Sequence, residues 1–138
     1  NLYPSLCLFE GTNVSVGRGT EMQFQIYGSP HLPKTEFQFI PKPNEGAKYP
    51  KHENKICYGK DLRKTNNLYK INLEWIIYCY EKAKKKEAFF NTFFNKLAGN
   101  SKLQQKIKNG KNAKEIRNTW QNNLLQYDIL RKKYLIYL

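Results

Sequence analysis

Histidine, cysteine and arginine are all scarce in this chain. Two histidines and three cysteines stand among 138 residues. Cys7, Cys57 and Cys79 form no CxxC pair and no Cys/His zinc spacing, which removes zinc ribbons and thioredoxin-like motifs. His31 and His52 lie in separate Pro-rich stretches, so neither a metal cluster nor a Ser/His/Asp or Cys/His catalytic set can be argued. No metal or cofactor is expected. Long apolar runs are missing as well. The longest is Trp75-Ile76-Ile77-Tyr78-Cys79-Tyr80, far short of the roughly 20 residues of a membrane span. No secretory signal pattern is present, and the chain opens at Asn1 without an initiator Met. We read it as a processed or excised piece.

What is abundant is lysine. The formal net charge is +13, from 24 basic and 11 acidic residues. Such a balance raises nucleic acid, anionic membrane or acidic polymer as partners. Only Arg18, Arg63, Arg117 and Arg131 carry the guanidinium fork that nucleic-acid readers favour. The excess also sits in one half. Residues 1–50 hold four bases and four acids, whereas 51–138 hold 20 bases and 7 acids. The lysines therefore read either as a solvated surface with A/T-rich codon usage behind it or as a polyanion-binding face.

The first half is broken by Gly and Pro. Leu6-Cys7-Leu8-Phe9 has the form of a short buried strand. Phe24-Gln25-Ile26-Tyr27-Gly28 and Phe37-Gln38-Phe39-Ile40 alternate as strands do, and Ile56-Cys57-Tyr58-Gly59 predicts a further one. Residues 41–55, with Pro41, Pro43, Gly46 and Pro50, read as a surface loop. The second half shifts to helical spacing. Asn72 can cap a helix bearing Leu73, Ile76, Ile77 and Tyr80, closed by Lys82 to Lys86. Phe89, Phe90, Phe93, Phe94 and Leu97 predict one amphipathic helix ending at Gly99. Ser101 can cap the next, with Leu103 and Ile107 one turn apart and Gly110 as its stop. Asn112-Ala113-Lys114-Glu115 has the form of a capping box. Beyond it, Ile116, Trp120, Leu124, Tyr127 and Leu130 predict a helix of about 20 residues. Strands first and helices later define an α+β class: one domain over 1–138, a small, largely antiparallel sheet from the N-terminal half with the C-terminal helices packed on it.

One segment differs in kind. From Phe9 to Thr20 the chain gathers Gly11, Gly17 and Gly19 with Glu10, Thr12, Asn13, Ser15 and Arg18. Glycines allow tight turns and close ligand approach. The carboxylate, amide, hydroxyl and guanidinium groups are those that bind sugars or act as acid and base. Glu10, after an apolar strand, would be held rigidly at a strand end. The competing reading is a Gly-bearing hairpin whose Glu10 and Arg18 merely pair. The Gly-x-Gly lacks the rest of a nucleotide-binding fingerprint. Phe89 to Phe94 read as core rather than a docking face, and Lys82 to Lys86 as a solvated helix end.

The run Tyr3-Pro4-Ser5-Leu6-Cys7-Leu8-Phe9-Glu10-Gly11-Thr12-Asn13-Val14-Ser15-Val16-Gly17-Arg18-Gly19-Thr20 resembles the signature of the NamZ-like exo-β-N-acetylmuramidases. The resemblance continues at Phe24-Gln25, Gly28-Ser29-Pro30 and Cys57-Tyr58-Gly59-Lys60-Asp61-Leu62. It recurs at Phe93-Phe94, Leu97-Ala98-Gly99-Asn100, Glu115-Ile116-Arg117 with Trp120, and Arg131-Lys132-Lys133-Tyr134-Leu135. It covers nearly the whole chain, and its first motif is long. It implies the C-terminal α+β part of a two-part enzyme whose N-terminal domain is Rossmann-like, with the cleft between them. The implied activity is removal of terminal N-acetylmuramic acid from peptidoglycan fragments.

By that resemblance Glu10 is the candidate catalytic residue, and Asn13, Arg18, Thr12 and Ser15 are substrate-binding candidates. Arg18 can pair with the lactyl carboxylate of muramic acid. The expected partners are peptidoglycan fragments or N-acetylmuramic acid glycosides and the N-terminal domain of the same protein, without nucleic acid or membrane span. The expected location is the bacterial periplasm or exterior. A second carboxyl group would come from the other part, so this chain alone should be inactive. Two other readings stay open: a non-catalytic cell-wall carbohydrate-binding module, and a basic nucleic-acid-binding domain suggested only by charge.

Overall fold

The computed structural model describes residues 2–66 and 68–137. The chain opens in a helical turn, not a strand. Helix α1 spans Tyr3–Leu6 and runs directly into a 3-10 helix at Cys7–Gly11. A short apolar run such as Leu6 to Phe9 fits either conformation, and Pro4 decides it. Proline in the first helical turn has its φ already set and loses no hydrogen bond there. Leu6 and Phe9, three apart, are then both fully buried. Glu10 accordingly sits on a 3-10 turn, which corrects the strand-end expectation.

The sheet has three strands, β1 (Ile26–Ser29), β2 (Gln38–Phe39) and β3 (Cys57–Asp61). They lie antiparallel in the order β1-β3-β2. Gly28 faces Gly59, and Phe39 faces Cys57. Ser15 adds an isolated bridge to Gly28, so the Phe9–Thr20 segment is stitched to the sheet edge.

Helix α2 (Glu74–Lys82) begins where expected, and Asn72 Oδ1 accepts the amides of Glu74 and Trp75. The expected Phe89–Leu97 helix is instead divided. A 3-10 turn at Lys86–Ala88 precedes a break, and α3 covers Phe94–Ala98. At the break Phe90 bridges Thr12, and Asn13 N–H donates to the Phe89 carbonyl. Tertiary pairing has overridden helical spacing here. Phe89 and Phe94 are still core, while Phe93 is exposed.

Helix α4 (Lys102–Lys108) is started by Asn100, whose Oδ1 accepts the Lys102 amide; Ser101 makes no side-chain cap. Helix α5 (Ala113–Asn118) carries the full Asn112/Glu115 capping box. The long helix expected after it breaks at Thr119. The Thr119 hydroxyl turns back to the Ile116 carbonyl at 2.6 Å, and α6 (Gln121–Lys132) follows. Back-bonding of this kind bends or interrupts helices.

The main core joins the N-terminal turns to the helices. Leu6, Phe9, Tyr27, Trp75, Ile76, Cys79, Phe89, Phe94, Ile107 and Ile116 belong to one cluster. Phe9 and Tyr27 stack at 5.2 Å, tying the 3-10 helix to β1. Gly11 lies against α3 so closely that a Cβ would clash with the Phe94 backbone. Ile26, Phe39 and Cys57 form a second, smaller cluster. Cys7, Cys57 and Cys79 are free thiols. No helix of the described residues is long and apolar enough to cross a membrane. Helix α6 buries none of its side chains.

Candidate functional site

Glu10 and Arg18 come together at the mouth of a groove. Both Nε and Nη2 of Arg18 donate to Glu10 Oε1, at 2.9 and 2.7 Å. Oε2 takes no part in this pair. The guanidinium also lies 4.9 Å over the Phe24 ring. Gly17 and Gly19 flank it with φ of +80° and +81°. That left-handed backbone strains residues bearing a Cβ. The two glycines thus let the chain reverse on either side of Arg18 and leave its side chain half exposed.

The groove holds about 420 Å³, within the range of small-molecule sites. One wall is Glu10, Val14, Val16 and Arg18; the other is the 46–51 turn with Tyr49 and Lys51. Tyr49 is almost wholly exposed. The 41–55 loop is tied down rather than free. Asn44 and Ala47 exchange both backbone hydrogen bonds, Lys42 N–H donates to Gly19 O, and Asn54 N–H donates to Pro41 O. His52 and Asn54 adopt φ of 61° and 57°. Left-handed backbone at such residues costs on the order of 1 kcal/mol each and persists where surroundings enforce it.

Here the loop grips the Phe9–Val14 turn. Lys51 Nζ donates to the carbonyls of Thr12 at 2.5 Å and Val14 at 3.1 Å, with Phe9 O at 3.5 Å. His52 Nε2 lies 2.6 Å from the Asn13 carbonyl, which requires the proton on that nitrogen. Burial pushes Lys51 down to about 8, partly opposed by the charge of Glu10. Burial also lowers His52, against the hydrogen bond to Asn13; His31, Lys51 and Lys55 lower it further. The two histidines, 21 positions apart in sequence, meet edge to face at 5.7 Å. No cluster of three metal-ligating side chains occurs among the described residues.

The expected site residues separate by role. Glu10 and Arg18 face the groove. Asn13 is half-buried, its backbone held by Phe89 on one side and His52 on the other. Thr12 is buried, its hydroxyl donating to Phe9 O and accepting from Val14 N–H. Ser15 lines the groove, yet it too is buried and its hydroxyl accepts from Gly17 N–H. Both hydroxyls are therefore committed to shaping the turn. Lys51, His52 and Tyr49 escaped sequence reasoning, as did Asn91, whose amide donates to Glu10 O. All four lie far along the chain from the turn they meet, and no local spacing marks them.

A helical-turn loop bearing a paired carboxylate and guanidinium, set on a three-stranded sheet with helices packed on it, defines a small domain of the α+β class. The family described as "Exo-beta-N-acetylmuramidase NamZ, C-terminal" matches residues 1–137, and the chain belongs to that family. It is 34% identical over 152 residues to the peptidoglycan β-N-acetylmuramidase NamZ of Bacillus subtilis (strain 168). That match covers 99% of this chain and 37% of the relative. The crystal structure of a DUF1343 family protein from Bacteroides fragilis superposes with a TM-score of 0.90 at 40% identity, covering 99% of this chain and 40% of that one. The chain thus spans well under half the length of both relatives.

Proposed function

We propose that this domain forms one wall of a muramic-acid-binding cleft in a peptidoglycan-acting exo-β-N-acetylmuramidase. The observation that carries the reading is the Glu10–Arg18 pair at the groove mouth, inside a domain of this family. An arginine fork binds a carboxylate through two parallel hydrogen bonds. The lactyl carboxylate, which separates muramic acid from glucosamine, competes with Glu10 for Arg18. Its arrival releases Glu10 Oε1 toward the sugar. Glu10 then serves as one of the two carboxyl groups that glycoside hydrolysis needs. The second comes from a Rossmann-like domain that precedes this one. Asn13 offers the sugar its amide, and Thr12 and Ser15 hold the turn that presents it. The place of action is the bacterial periplasm or exterior, where muropeptides are met.

The test is a titration of the isotope-labelled chain with N-acetylmuramic acid and, in parallel, N-acetylglucosamine. The acidic sugar should shift amides of 10–18 and 46–51, and Arg18→Gln should abolish its advantage over the neutral one. Equal response to the two sugars, or shifts confined to another face, would overturn the reading. The chain alone should release no N-acetylmuramic acid from a chromogenic muramide; measurable turnover would place a complete catalytic set within these 138 residues.

A further inference from the structure

Four consecutive-turn carbonyls, those of Phe9, Thr12, Asn13 and Val14, are gripped by two adjacent side chains, Lys51 and His52. Glu10 and Asn13 lie within that gripped stretch. An ammonium group has three N–H donors, and three carbonyls converge on this one. The loop adopts left-handed backbone at His52 and Asn54 while delivering the pair. Arg18, the cation on the opposite wall, is turned to Glu10.

We propose that Lys51 is a positioning residue, whose Nζ donates into the Phe9–Val14 turn, closes it and thereby sets where Glu10 presents its carboxylate and Asn13 its amide. The inference rests on the groove being the sugar site, and it names what holds that site in shape. Lys51 does not itself need to touch the sugar.

Hydrogen-bond donation makes the role separable from simple packing. Loss of the proton still leaves two N–H donors for these carbonyls and removes the cost of burying the charge. Burial already favours that loss near pH 8. The groups facing Lys51 are Glu10 and Arg18 across the groove, Lys48 and Tyr49 on its own loop, and His52 beside it. His52 is lowered from its ordinary value, so it stays neutral through the alkaline range. Global stability and closure of the turn then move together. The folded state holds the proton less tightly than the unfolded chain, so raising the pH from about 8 toward 10.5 adds stability from this group. Opening the turn returns Lys51 to water, so by the same linkage the turn closes more firmly over that range.

The experiment uses the labelled chain, its Lys51→Met and Lys51→Arg variants, and N-acetylmuramic acid as probe. Amide protection of residues 12–14, sugar affinity and thermal midpoint are followed between about pH 6.5 and 9.5. In the wild type, protection at 12–14, sugar affinity and the thermal midpoint should rise together as the pH passes about 8. Lys51→Met should lose protection at 12–14 and about tenfold in affinity at pH 7, and its affinity should no longer respond to pH near 8. Lys51→Arg, which keeps the donors and is charged throughout, should restore affinity at pH 7 without the rise near 8. Wild-type amides at 12–14 indifferent to pH, or Lys51→Met binding the sugar as wild type does, would overturn the proposal. Should Lys51→Met not fold, the wild-type pH series and Lys51→Arg decide alone. Should the wild type bind no sugar, the sugar-site reading fails while the amide series still decides the role of Lys51.

Discussion

The Asn91 side-chain amide donates to the Glu10 carbonyl at 3.2 Å, joining residues 81 positions apart. Its Oδ1 accepts Phe93 N–H and so also starts α3. Asn91→Ala removes both contacts. Each neutral hydrogen bond of this kind contributes on the order of 1 kcal/mol. The variant should lose about 1–2 kcal/mol in urea unfolding. The damage should show as faster amide exchange at both the Glu10 turn and the start of α3.

Glu10→Gln and Arg18→Gln should barely affect stability. The pair is partly exposed, and such surface ion pairs contribute about 0–1 kcal/mol. Denaturation midpoints close to wild type are expected, alongside weakened binding of N-acetylmuramic acid. A large loss of stability would mark the pair as structural.

Acid should destabilise this domain partly through His52. Its folded pKa lies below the usual 6.5, chiefly because of burial. The unfolded chain therefore takes up a proton that the folded one resists. The contribution is complete above about pH 6.5 and declines as pH falls from there toward the folded pKa. His52→Gln keeps a donor for Asn13 O without the titration. It should flatten the stability profile in that window, as read by thermal midpoints at closely spaced pH.

Ile116 is fully buried, whereas Leu125 in α6 is mostly exposed. Ile116→Ala should cost about 2–5 kcal/mol through lost contacts and a cavity. Leu125→Ala in the isolated chain should stay within about 0.5 kcal/mol of wild type. Asn112→Ala, which removes the capping box at the start of α5, should fall near 1 kcal/mol. Calorimetric melts of the three variants check the order.

What was legible in the sequence is what short-range chemistry dictates. The Asn112/Glu115 box, the Asn72 cap and the strands around Ile26 and Cys57 all stood where spacing placed them. Family membership was legible too, because the Tyr3–Thr20 run is long. Two errors came from competition between levels. Leu6 to Phe9 fits a strand or a turn, and Pro4 tips it to the turn. Phe89 to Leu97 has helical spacing, but pairing of Phe90 with Thr12 interrupts it. The grip of Lys51 and His52 on the Glu10 turn had no local signal. It exists only because the 41–55 loop folds back over nearly 40 positions, with backbone at His52 and Asn54 that residue type alone would not forecast.

Helix α6 carries the remaining consequence. Among the described residues every fully buried side chain lies at or before Ile116, while Leu124, Leu125, Tyr127, Ile129 and Leu130 stand at least half exposed. A 12-residue helix without packing is marginal in water. The cooperative unit of the described chain taken by itself thus closes at α5, and residues 121–137 are expected to open as a unit of low stability. Its opening costs the rest of the molecule almost nothing.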